Sequence, residues 1–254
     1  MDGKFDAIVV GSGITGGWAA KELTEKGLKV LLVERGPMLE HQTWYKTEMM
    51  APWQLQFRGY GDRELFARDY AVQSRGMYFN EWTHTRFVND RENPYETTTD
   101  QPFQWRRGYQ LGGKSLLWGR QCYRWSDLDF GANAADGHGV DWPIRYADVA
   151  PWYDHRGLHR RVGIAGPSAP AAGRPVPEAD GDGHCRAGDQ ARARGRCPDR
   201  KLIIGRSSNL TEPWPGRSPC QYRNICARGC SFGAYFSTLS STLPAAHRRA
   251  HLRE

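Results

Sequence analysis

Apolar positions follow different rules in different parts of the chain. Near the N-terminus, Phe5, Ala7, Ile8, Val9 and Val10 form a short apolar run of strand length that stops at Gly11-Ser12-Gly13-Ile14-Thr15-Gly16. From Thr15 to about Lys26, Trp18, Ala19 and Leu23 recur at helical spacing, Gly27 marks the helix end, and Lys29 to Val33 reads as a second buried strand. A strand, a helix and a parallel strand are therefore predicted in the first 36 residues. Residues 37 to 106 behave differently: Trp44, Trp53, Trp82 and Trp105 are scattered without period among charges, as in a partly helical insertion whose aromatics pack under long loops. Beyond Gly166 the pattern fails, because Val176 is the sole large apolar residue from there to Pro198.

The glycines between the first strand and the helix complete G-x-G-x-x-G in its proper setting. Such a turn lets the backbone approach a pyrophosphate closely, while the first-turn amides and the helix dipole supply the positive end for the anion. Glu34 ends the second strand, where an acid accepts hydrogen bonds from a ribose. Strand, helix, second strand and acid in register point to a dinucleotide site built on Gly11, Ser12, Gly13, Thr15, Gly16, Glu34 and Arg35. FAD and NAD share this cradle, so the unit alone leaves the choice open. A second glycine-rich stretch, GYQLGGKSLLWG at 108 to 119, has few acids and reads either as backbone amides facing a phosphate or flat ring, or as a tight turn into a helix.

Composition narrows the classes. With 254 residues, 39% of them hydrophobic, the chain has room for one or two domains and is not disordered throughout. It holds no run of 18 apolar residues and no signal-peptide layout, so a soluble, uncleaved chain without a direct membrane segment is expected. The net charge of +7 could suggest nucleic acid, but the arginines are scattered and no RNA-module or zinc-finger pattern is present. Three of those seven charges come from 166–198 and 246–254, and the remainder is too small to argue for a polyanion partner.

Three stretches together resemble the glucose-methanol-choline (GMC) oxidoreductases: FDAIVVGSGITGGWAAKELTEKGLKVLLVERG at 5 to 36, GYQLGGKSLLWG, and DWPIRYADVAPWYD at 141 to 154. The likeness is to the bacterial branch with gluconate, fructose and glucoside 3-dehydrogenase flavoprotein subunits. It implies an α/β Rossmann-like FAD domain in residues 1 to 165, interrupted at 37 to 106. The first motif would hold the ADP half of FAD, and Gly112, Gly113, Ser115, Trp118 and Gly119 would line the flavin side. Leu117 stands where some relatives attach flavin through a His, which implies non-covalent FAD. The implied reaction is oxidation of a CH–OH group in a sugar, polyol or related alcohol, with electrons passed to an acceptor other than oxygen. Such a chain would be cytoplasmic, or periplasmic if exported with a partner subunit. A NAD-dependent dehydrogenase is the rival that the second glycine motif disfavours.

Cys220, Cys226 and Cys230 lie in a C-x5-C-x3-C pattern, unlike the paired C-x-x-C of a zinc knuckle. Three thiolates beside Arg223 and Arg228 suit an iron-sulfur cluster; the alternatives are buried small apolar cysteines, one disulfide with a spare, or zinc. The resemblance implies a three-iron cluster relaying electrons to a cytochrome or small partner subunit, although Gln221 replaces a second Cys found in one such pattern.

Between 166 and 198, Gly, Ala, Pro and Arg make up 23 of 33 residues, a segment that cannot bury enough surface to offset its ordering entropy. It reads as a flexible linker or as out-of-frame translation of a GC-rich gene, with a possible onset at 156–161. Family-like sequence resumes in 199–245, with Asp199-Arg200-Lys201-Leu202-Ile203-Ile204-Gly205, and fails again in 246–254. GMC enzymes place the catalytic His near the end of a chain roughly twice this long, so this chain is expected to be a C-terminally truncated fragment without its general base. The rival expectation is a non-catalytic product that retains at most FAD binding. His41, His84, His138 and His155 read as surface or capping residues.

Overall fold

The computed structural model describes residues 4–41, 43–153, 191–192, 195–197, 207–248 and 252–253. The 156–161 stretch, the start of family-like sequence at 199–205 and nearly all of 166–198 lie outside the described residues. The chain divides into two units, Met1–Gly119 with Gln221–Gly233 and Ser237–Glu254, and Arg120–Cys220 with Ala234–Phe236.

The first unit opens as the hydropathy pattern predicts. Strand β1 (Ala7–Val10) leads through the glycine turn into helix α1 (Ile14–Glu25), and strand β2 (Val30–Val33) returns parallel to β1 with Ala7 opposite Val30 and Val10 opposite Val33. Helix α1 ends where Gly27 takes φ +88°: its amide bonds the Thr24 carbonyl at 3.0 Å and the Leu28 amide bonds Leu23 at 3.2 Å. These two bonds are the Schellman pair that satisfies the last carbonyls of a helix. Gly16 admits no side chain, because a Cβ there would stand 1.9 Å from the Gly11 carbonyl oxygen. The close seat of helix on strand therefore depends on that glycine.

The rest of the unit returns to this βαβ core from far along the chain. Strand β3 (Leu252–Arg253) pairs parallel with β2, giving the order β1-β2-β3. Thus the 246–254 tail, read as anomalous in sequence, adds a strand to the sheet. Helix α6 (Thr242–His247) packs on α1, and Ala246 is fully buried. The core gathers Val9, Ala20, Val30, Leu32, Leu111, Leu116, Leu239 and Leu243. Full burial of a leucine contributes roughly 1.5–3 kcal/mol, so Leu111 and Leu116 also fasten the second glycine motif to the sheet. The opposite face is bare: Ile8, Val10 and Val33 are 65%, 83% and 46% exposed.

Among its described residues, the 37–106 insertion is loop-rich with one α-helix, α2 (Arg63–Asp69), capped by Asp62, whose side chain accepts from the Glu64 and Leu65 amides at 2.9 and 3.1 Å. Phe66 of α2, Tyr70, Phe79 and His84 form a cluster of edge-on and tilted rings under the loops. Trp44 and Trp82 also pack inward beneath the Arg86 and Arg228 guanidiniums, whereas Trp53 is 81% exposed.

The second unit holds helices α3 (Asp127–Phe130), α4 (Ala132–Asp136) and α5 (Tyr146–Tyr153). Arg124 lies over the rings of Tyr146 and Tyr153 at 5.7 and 5.2 Å. Extended segments are tied by antiparallel bridges between Gln121 and Ser207 and between Asn209 and Tyr235. Among the described residues of the chain, no helix is long and apolar enough to cross a membrane.

Candidate functional site

The N-terminus of α1 is prepared for an anion. Its N-cap residue, Gly13, offers no side chain to the first turn, so the early amides of α1 have no side-chain cap. The space beside Gly11 and Gly13 is open, since a Cβ at either would meet nothing within 4 Å. A twelve-residue helix adds its dipole to these amides. The cradle therefore fits a pyrophosphate.

The second glycine motif closes on the first. Gly112 is left-handed at φ +89° and begins a short 3-10 turn, Gly113–Leu116. A Cβ on Gly113 would lie 3.5 Å from the Cα of Gly13, so the two glycine loops touch through backbone. The Gly112 amide donates to the Ser12 hydroxyl at 2.7 Å, and that hydroxyl donates to Glu34 Oε2 at 2.5 Å. Glu34 Oε2 also accepts from the Ser12 amide at 2.8 Å, and Oε1 accepts from the Gly36 amide at 3.1 Å. Burial pushes the Glu34 carboxyl up, but the Ser12 hydroxyl and the Ser12, Gly36 and Arg35 amides outweigh it and hold the group below the ordinary carboxylate value. Glu34 is thus a charged acceptor at the end of β2, and Oε1 retains capacity for a ribose hydroxyl.

Most of the predicted residues converge. Ser12 and Ser115 are buried, while Thr15 is exposed at the start of α1. Arg35 is exposed, with its guanidinium 3.7 Å from the Tyr109 ring centroid. Trp118 is half-buried, and Gly119 is exposed with open space beside it. The Ser115 hydroxyl turns inward and donates to the Gly112 carbonyl at 2.6 Å. Sequence reasoning missed Thr238, whose hydroxyl donates to the Ser12 carbonyl at 2.8 Å and whose amide donates to the Ser115 hydroxyl at 3.1 Å. A threonine in a Ser/Thr-rich stretch carries no spacing signal that would have marked it.

The cysteine segment is built on another principle. Buried Glu48 accepts from Arg223 at 3.0 Å, from the Ser231 amide at 3.0 Å and from the Ser231 hydroxyl. Burial lowers the Arg223 pKa, but bonding to Glu48, the Glu48 charge and Cys230 outweigh it and raise the pKa. Buried Arg86 donates to the carbonyls of Ala227 and Arg228, and His41 Nε2 lies 3.1 Å from the Cys230 carbonyl. Cys230 is buried, Cys226 begins a 3-10 turn, and in the second unit the Cys220 amide bonds the Leu210 carbonyl at 2.9 Å. Among the described residues, no group of three or more His, Cys, Asp or Glu is placed to hold a metal ion. The loop's fixed contacts are made to protein groups.

By geometry, the first unit opens with a Rossmann-type βαβ element whose glycine cradle suits a dinucleotide. Residues 6–114, which include both glycine motifs up to Lys114, match the family model described as FAD dependent oxidoreductase. The chain is 28% identical over 240 residues to 6'''-hydroxyparomomycin C oxidase of Streptomyces lividus, covering 92% of this chain and 37% of that protein. It is also 28% identical over 241 residues to paromamine 6'-oxidase of Streptomyces fradiae, covering 92% and 36%. Against the fructose dehydrogenase large subunit of Gluconobacter japonicus it is 23% identical over 249 residues, covering 94% and 43%. The chain spans well under half the length of these curated relatives. The nucleotide unit is thus similar to that of FAD-dependent oxidoreductases.

Proposed function

We propose that this chain is the FAD-holding part of a GMC-type flavoenzyme that oxidises a CH–OH group of a sugar, polyol or related alcohol and delivers the electrons to an acceptor other than oxygen. The observation that carries the reading is the pair of glycine loops meeting at the uncapped start of α1, with Glu34 held charged beside them. Relatives whose names specify oxidation of paromamine and of fructose support the substrate class. The relative named as a large subunit supports a partner protein as electron acceptor.

Each residue has a task in this reading. The Gly13, Ile14 and Thr15 amides take the pyrophosphate, and Glu34 takes the ribose. Leu117 offers no nucleophile to the flavin ring, so the cofactor is held without a covalent bond. Once bound, FAD supplies the acceptor for the hydrogen on the alcohol carbon. A base must take the hydroxyl proton. His41 and His84 spend a ring nitrogen on backbone carbonyls at 3.1 and 3.0 Å, and His138 and His247 are exposed. We assign the base to none of these four histidines, and no electron-transfer step to the cysteines.

The bare sheet face favours the accompanying reading that this chain alone binds FAD without turnover, because parallel sheets are covered on both faces. The test is an FAD titration of the purified chain followed by anaerobic addition of fructose, polyols or paromamine. FAD binds, dithionite reduces it, and the alcohols leave it oxidised. Failure to bind FAD overturns the reading, and bleaching by an alcohol overturns the accompanying reading of binding without turnover.

A further inference from the structure

The cradle works only if its backbone donors point at the ligand, and the structure shows what aims them. Ser12, Ser115 and Thr238 are each at most 1% exposed and lie far apart in sequence. Their three hydroxyl protons have distinct acceptors: Ser12 donates to Glu34 at 2.5 Å, Ser115 to the Gly112 carbonyl at 2.6 Å, and Thr238 to the Ser12 carbonyl at 2.8 Å. In return, the Ser12 hydroxyl accepts from the Gly112 amide at 2.7 Å and the Ser115 hydroxyl from the Thr238 amide at 3.1 Å. All three hydroxyls of this buried set are matched, as low-dielectric networks require.

One link has a directional consequence. There are no cis peptide bonds among the described residues, so the Ser12–Gly13 peptide is trans and planar, and its N–H points opposite its carbonyl. Because Thr238 holds the Ser12 carbonyl, the Gly13 N–H points away from Thr238. Neighbouring amides are already spent: Gly11 bonds the Val33 carbonyl at 2.7 Å, Ser12 bonds Glu34 and Gly113 bonds the Gln110 carbonyl at 2.8 Å. We propose that Thr238 is a positioning residue for the dinucleotide: it fixes the Ser12–Gly13 peptide so that the Gly13 amide, with the first turn of α1, faces the pyrophosphate. The proposal rests on the FAD reading above, and deepens it by assigning to residue 238 the aim of a donor that belongs to residue 13.

The experiment compares the full-length chain with Thr238→Val, which keeps shape but removes the hydroxyl, and Thr238→Ser, which keeps the hydroxyl. ADP, which carries the pyrophosphate, and adenosine, which lacks it, are titrated against each by calorimetry, together with FAD. Thr238→Val is expected to weaken ADP and FAD about tenfold, the scale of one buried hydrogen bond, and adenosine less than twofold. Thr238→Ser is expected to restore the ratio of ADP to adenosine affinity. A purely structural role would lower ADP and adenosine together, so an unchanged ratio in Thr238→Val overturns the proposal. Should Thr238→Val fail to fold, the serine variant still decides, since loss of the wild-type ratio there contradicts the proposal. Wild-type chain that binds neither FAD nor ADP overturns the underlying FAD reading, whereas tight wild-type binding with an indifferent Thr238→Val overturns this inference alone.

Discussion

Two loops of the first unit, the glycine turn at 11–16 and the cysteine loop at 223–231, are both conspicuous in sequence and both pinned by distant residues, yet they spend their donors differently. At the glycine turn, protein partners satisfy Ser12 on every side and leave the start of α1 without a side-chain cap, facing open space. At the cysteine loop, the fixed groups are turned onto protein: Glu48 takes Arg223 and the amide and hydroxyl of Ser231, while Arg86 takes two loop carbonyls. The first is a frame around reserved donors, and the second is a clamp. Residue types alone do not separate the two; the fate of the backbone groups does.

The comparison breaks most visibly at Gly16. A Cβ there meets the Gly11 carbonyl oxygen at 1.9 Å, a contact with backbone that no rotamer relieves. Gly16→Val is expected to cost about 3 kcal/mol or more and to lower the melting temperature by about 10 °C, with FAD binding lost as well. Thermal unfolding by circular dichroism checks it; a melt within 2 °C of wild type contradicts the packing described for α1 on β1, on the scale of about 2–4 °C per kcal/mol.

Gly13→Val separates fold from binding. The backbone there, φ −62° and ψ −171°, suits any residue, and the added side chain enters empty space. The melting temperature should stay near wild type while FAD affinity falls on the order of 100-fold, about 2.8 kcal/mol. Equal affinity would mean that the open space beside Gly13 is not the ligand's.

Glu48→Ala is the converse. It leaves Arg223 and the Ser231 amide without their buried acceptor, and with Arg223 only partly exposed a loss of about 2 kcal/mol in stability follows. FAD affinity should move less than twofold. A matched loss of affinity would show that the clamp and the cradle are one site.

The smallest effect is a pH dependence. Because the folded Glu34 carboxyl sits below its ordinary value, its contribution is fully present above the ordinary carboxylate range and is lost as pH falls through the lowered value. Stability and FAD affinity should therefore both fall on the acid side, and Glu34→Gln should flatten that limb of the affinity profile. An acid limb unchanged in the variant assigns it to another carboxylate.

The βαβ start was legible in the sequence because three short signals agree in register: a strand-length apolar run, glycines spaced for a turn under a helix, and an acid at the next strand end. The second glycine motif was legible as a turn, but the inward orientation of Ser115 was not, because the hydroxyl that meets it comes from Thr238. The contacts of the cysteine loop were not legible for the same reason. The spacing of the cysteines is local, whereas the groups that fix their loop, Glu48, Arg86 and His41, lie more than a hundred residues earlier. Strand β3 was hidden in a tail whose composition reads as anomalous, since two residues carry too little pattern to announce a strand.

The central claim is that reserved backbone donors at the start of α1 hold FAD. Titrating FAD into the purified wild-type chain and into Gly13→Val, with flavin fluorescence as the signal, tests it most directly. The account predicts saturable one-to-one binding to the wild type, release of intact FAD on denaturation, and loss of binding in a variant that still melts like the wild type. No binding by the folded wild type, or equal binding by both proteins, contradicts it.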